Sequence, residues 1–153
     1  MAEFHSKNFK LSEFTASNTA TKNHIDNTRL TESEKINIAN LICNVLQPCR
    51  DKVGFPMTIT SGRRCKALNK IVGGADNSQH LCENGAASDI QCFTNKKFDV
   101  QKTRQVFQTL SEMDVDQLFY EKDQHGTIWV HVSYVSPEKN RHYIKDNFMV
   151  VRK

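Results

Sequence analysis

The sequence predicts an α+β domain, with helices on one face of a mainly antiparallel sheet. Three observations carry this. Two stretches repeat apolar residues at helical spacing, around 31–46 and 99–113. Four shorter stretches, MTIT, AASDIQCF, QLFYE and TIWVHVSY, read as strands bounded by turn residues. The last two are joined by the short polar connection KDQHG, which suits an antiparallel hairpin.

In chain order, Thr31 and Glu34 form a capping box for a helix through about Leu46, with Ile38, Leu41, Ile42 and Val45 as its apolar face. Pro48 is expected to end or bend it, and Gly54 with Pro56 to close the following turn. Residues 57–60 are then a strand, Ser61 and Gly62 a turn, and 63–72 a short helix stopped by Gly73 and Gly74. The helix over 99–113 turns Val100, Val106, Phe107 and Leu110 inward. NFMVVRK adds a last strand. No repeat, low-complexity tract or linker divides the 153 residues, so one domain over 1–153 is expected, with its core at about 8–135.

Strand parity locates candidate chemistry. In TIWVHVSY, alternation puts Trp129, His131 and Ser133 on one face and Ile128, Val130, Val132 and Tyr134 on the other. In AASDIQCF it separates Asp89 and Gln91 from Ile90 and Cys92. Each strand can bury its apolar face while His131 or Asp89 points away. Alone, either residue reads as an ordinary half-buried polar group. With His80 they form two imidazoles and one carboxylate, a donor set suited to zinc, and three protein ligands leave a position open for water or substrate. A cleft holding one zinc ion is therefore expected on the sheet face away from the helices.

The segment TSGRRCKALNKIVGGADNSQHLCENGAASDI resembles the pattern T-S-G-Y-R…L-N-x-x-V-G-G…S-x-H-x-x-G-x-A-x-D-I of zinc D-Ala-D-Ala carboxypeptidases, L-Ala-D-Glu endopeptidases and related phage endolysins, which share the hedgehog/DD-peptidase fold. The likeness extends upstream to NFKLSEFTASNTA, IDNT and NVLQPCRDKVG, and downstream to DQLFYE and WVHVSY. It implies that His80, Asp89 and His131 are the zinc ligands, and that the substrate is a peptidoglycan stem peptide. Arg64 matches the motif arginine, which can grip a substrate carboxylate or steady an oxyanion. Glu121, in the matching YE, is the expected general base, with Asp123 and His125 as weaker candidates. Ser78, Gln79 and Trp129 are candidate substrate contacts, Trp129 equally a packing residue.

Three departures accompany the match. Gly85 and Asp89 follow His80 two residues later than in the pattern, as if Cys82, Glu83 and Asn84 included an insertion, which a loop absorbs without moving its ends. Arg63 replaces the pattern tyrosine, so a substrate-side contact in the pocket is expected to differ. Glu121 lies farther ahead of His131 than the acidic residue of hedgehog-like relatives, but a longer hairpin loop preserves cross-strand neighbours.

Composition narrows the rest. The five cysteines cannot all pair and form no C-x-x-C knuckle, so reduced thiols are expected; a closed site using Cys82 is a third reading. A net charge of +4, scattered among carboxylates, carries no aromatic-basic motif for nucleic acid, and would help approach to an anionic cell wall. No apolar run could span a membrane, and MAEFHSKNFK lacks a secretory apolar segment. The expectation is synthesis in a cytoplasm and action on the wall, by lysis or from a phage particle. The alternative is a noncatalytic zinc-binding or virion structural module of the same fold. Oligomeric state is not legible.

Overall fold

The computed structural model describes residues 6–150. Its frame is a five-stranded sheet in the order β1-β2-β6-β5-β7, made by β1 (Thr58–Ser61), β2 (Ala86–Gln91), β5 (Gln117–Asp123), β6 (Ile128–Tyr134) and β7 (Tyr143–Val150). Neighbours pair antiparallel except β5 and β7, which run parallel. The fold is thus α+β with a mainly antiparallel sheet, as the sequence predicts.

Two helices cover one face. α3 (Glu32–Leu41) packs on β2 and β6, and α6 (Val100–Leu110) on β5 and β6. Between them and the sheet lies the core, where Ile38, Leu41, Ile42 and Val45 meet Ile90, Leu118, Val130 and Val132, all fully buried. Each such side chain stabilises the fold by roughly 1.5–3 kcal/mol relative to exposure. Two short N-terminal helices, α1 (Leu11–Thr15) and α2 (Asn18–Lys22), precede α3, and Phe14 of α1 is fully buried.

The N-terminus of α3 is as expected: Thr31 Oγ1 accepts from Glu34 N–H, and Glu34 Oε1 accepts from Thr31 N–H. Its other end is not. Pro48 does not end the helical run, which passes through a π-helical turn (Ile42–Leu46) into α4 (Gln47–Val53). Proline lacks an N–H and its ring crowds the carbonyl four residues back. Here Pro48 follows directly on the wider π-turn, in which Gln47 N–H reaches back five residues to Ile42 O. Gly54, at φ 77°, ends the run in the left-handed region.

Three smaller differences have local causes. The helix expected over 63–72 is only α5 (Lys66–Ile71), because Arg63 N–H donates to Phe14 O and Arg64 N–H to His80 O, both at 2.7 Å, which holds both arginines out of it. Val100 is 47% exposed, and the inward position one turn on belongs to Thr103, whose hydroxyl donates to Asp99 O and accepts from Cys92 N–H. A hairpin of β3 (Phe93–Thr94) and β4 (Lys97–Phe98), turned by Asn95 and Lys96 at positive φ, stands where no element was predicted. The last strand begins at Tyr143, and residues 151–153 of NFMVVRK lie outside the described residues.

Candidate metal centre

On the sheet face away from the helices, strand register collects the polar residues. Asp89 of β2 pairs with His131 of β6, His131 with Phe119 of β5, and Trp129 with Glu121. Antiparallel partners point the same way, so Asp89, His131, Phe119 and Glu121 emerge on one side. His80 arrives from a single 3₁₀ turn (Gln79–Leu81) that packs against β2.

The donor atoms of His80, Asp89 and His131 all lie within 4.8 Å of one another, and the three residues are buried. Asp89 Oδ1 stands 3.4 Å from His80 Nε2 and 3.1 Å from His131 Nδ1. Tetrahedral zinc with bonds near 2.1 Å holds its donors about 3.4 Å apart, so these residues fit one zinc ion. The imidazoles are oriented from behind. His80 Nδ1 lies 2.7 Å from Gly62 O, which accepts a hydrogen bond from Nδ1–H and leaves the Nε2 lone pair for a metal; Gln117 Oε1, 3.3 Å from His131 Nε2, leaves Nδ1 facing Asp89. Burial keeps His80 below the usual imidazole range and hence neutral. Burial alone would push Asp89 up, yet the two imidazoles hold it well below the usual carboxylate range. A neutral histidine and an ionised carboxylate are the protonation states that bind a metal.

The other predicted residues gather nearby. Glu121 Oε1 is 4.0 Å from His131 Nδ1, and Arg64 Nη2 is 4.0 Å from Asp89 Oδ2. Arg64 Nη1 also donates to Asn69 Oδ1, whose amide is tied to Ala75 O. Glu121 and Arg64 line a cleft of about 1010 Å³ with His80, Asp89 and His131. That volume is at the upper end for ligand pockets and admits an extended peptide. Ser78 and Gln79 line it too, but Ser78 Oγ caps the His80 turn by accepting from His80 N–H, and Gln79 Nε2 donates to Asp116 Oδ2. Trp129 is on the ligand face, 3% exposed and opposite Glu121, but is not among the residues lining the cleft.

Several alternatives fall away on geometry. Asp123 Oδ1 accepts from His125 and Thr127 N–H, capping the β5–β6 turn, and neither Asp123 nor His125 reaches the cleft. Arg63 is no cleft residue: its Nε donates to Glu34 Oε2 at 2.7 Å and its Nη1 to Asn27 O, with both ion-pair side chains under 10% exposed. Cys82 stands outside the donor cluster, with Sγ 3.6 Å from His80 O and its thiol pushed up to about 12 by burial. All five cysteines are free.

Gln117, Phe119 and Arg141 line the cleft and were not predicted. Parity from His131 across the β5–β6 register would have found the first two. Phe119 stacks on His131 with ring centroids 5.4 Å apart.

Three convergent N and O donors, open to a peptide-sized cleft and flanked by a carboxylate and a guanidinium, are the equipment of a metal-dependent hydrolase. The family model described as Peptidase M15 matches residues 7–133, and the chain belongs to that family of zinc-dependent peptidases. No curated protein matches the chain. Among the described residues, no helix is long and apolar enough to cross a membrane.

Proposed function

We propose that this chain is a zinc peptidase that hydrolyses a peptide bond in peptidoglycan stem peptides, as a phage lysin or virion-associated wall hydrolase. The observation that carries the peptidase part is the convergence of His80, Asp89 and His131 in the lining of one cleft, with Glu121 4.0 Å from His131 and Arg64 4.0 Å from Asp89. The wall substrate and phage setting rest on the motif resemblance.

Zinc held by His80 Nε2, Asp89 Oδ1 and His131 Nδ1 would supply Lewis acidity and make water a nucleophile near neutral pH. Glu121 takes the proton of the attacking water and returns it to the leaving amine. Arg64 holds a substrate carboxylate or the charge developing on the scissile carbonyl oxygen. Gly62 and Gln117 keep the two imidazoles aimed through their ring N–H groups.

The test is zinc content and mass spectrometry of fragments released from purified peptidoglycan. Wild type should hold one zinc and release fragments; Glu121→Ala should keep zinc and lose about 10²–10⁴-fold in rate. His80→Ala should lose both. One zinc with no fragments from any wall type would overturn the peptidase reading in favour of a binding module.

A further inference from the structure

Beyond the residue range matched by the family, the connection between β6 and β7 brings one more cation to the cleft. Arg141 lines it, and its guanidinium is held edge-on by Asp116: Nε donates to Oδ1 at 2.9 Å and Nη2 to Oδ2 at 2.8 Å. Asp116 is 1% exposed and also accepts from Arg141 N–H and Gln79 Nε2. Burial pushes its carboxyl up, but the hydrogen bonds from Arg141 and Gln79 outweigh this and keep it ionised.

The arginine side chain is nevertheless 57% exposed, and its grip on the Asp116 carboxylate is made by Nε and Nη2. A guanidinium whose plane is already fixed by a buried carboxylate loses little further freedom on gripping a second anion. A salt bridge serving only to pin the chain would not need to border the cleft. Asp116 is also flanked by site residues: it bonds Gln79, next to His80, and precedes Gln117, the partner of His131. The fork therefore stands beside the donor cluster, while Arg64 approaches Asp89 directly.

The geometry points to a second anion subsite at Arg141, which holds one substrate carboxylate while Arg64, in the carboxylate-gripping role of the two proposed for it, holds another. This rests on the peptidase reading of the cleft and makes the substrate a peptide with two carboxylates, one on either side of the bond to be cut or both on one side. Arg141 is then a specificity-determining residue.

The experiment uses the full chain loaded with zinc, in a Glu121→Gln background to prevent turnover. The probes are the synthetic stem pentapeptide L-Ala-γ-D-Glu-L-Lys-D-Ala-D-Ala, the same peptide amidated at the glutamate α-carboxyl, and the same peptide amidated at its C-terminus. Calorimetric titration should show that one amidation weakens binding about tenfold or more, the size of a lost charged hydrogen bond. Arg141→Gln, which can still donate to Asp116, should abolish that preference and leave the other amidation effect intact; Arg141→Lys should restore part of it. Equal losses for all three peptides in Arg141→Gln, an unchanged preference, or no binding of any probe by the background protein would overturn the subsite. Preserved discrimination without cleavage by the Glu121-containing protein would overturn the peptidase reading and leave the subsite standing.

Discussion

Asp89 and His131 face each other across β2 and β6 with 3.1 Å between Oδ1 and Nδ1, so one cross-strand register sets two of the three proposed zinc ligands. A slip of one residue would turn both into the helix-covered core. Replacing Asp89 by Asn keeps the shape and removes the charge. Asp89→Asn should keep its circular dichroism spectrum while zinc affinity, followed by competition with a chelating dye, falls by at least about 100-fold.

Gln117 lines the cleft, and its Oε1 holds His131 Nε2. Gln117→Leu should lower zinc affinity by about 10–100-fold. Unchanged affinity would show that the strands alone orient the ring.

Gly62 is constrained by packing. A Cβ there would lie 2.7 Å from Phe14 Cα and 2.8 Å from Phe14 O, and backbone cannot swing aside as a side chain can. Gly62→Ala should cost about 1–3 kcal/mol in urea unfolding. It should also weaken zinc binding, since the Gly62 carbonyl that aims His80 must shift.

Arg63 and Glu34 form a buried pair linking the cap of α3 to the segment after β1. Arg63→Ala leaves Glu34 without its cation and should cost about 3–5 kcal/mol, whereas the double change to Arg63→Met and Glu34→Leu should cost far less. Burial alone would raise Glu34, but Arg63 and Thr31 hold its carboxyl below the ordinary value of 4.5. A carboxyl with a lowered folded pKa contributes stability above its unfolded value and loses it as pH falls through the folded one. The stability gap between wild type and Glu34→Gln should therefore close as the pH is taken down from 4.5.

Period-two alternation in AASDIQCF and TIWVHVSY was enough to put Asp89 and His131 on the sheet face away from the helices, and the Thr31 and Glu34 pair was enough to start α3. These signals are local. The π-turn before Pro48, the parallel β7 and the burial of Arg63 depend on what lies across the core, which no window of sequence contains. Arg63 stands at a substrate-side position of the motif, and the partner that instead buries it, Glu34, lies 29 positions away. Arg141 was missed for the same reason: its partner Asp116 lies 25 positions back, and a single arginine in a connecting segment carries no periodicity.

The His80 turn differs from the rest of the site in how it is secured. Asp89 and His131 sit on strands paired on both edges, whereas His80 rides on one 3₁₀ turn fixed by Ser78, Gly62 and Arg64. Local opening draws on the least protected segment first. Amide exchange should accordingly be slow at Asp89 and His131 and quicker around His80, and on warming the cluster should come apart from that side, the turn swinging out while the sheet remains intact.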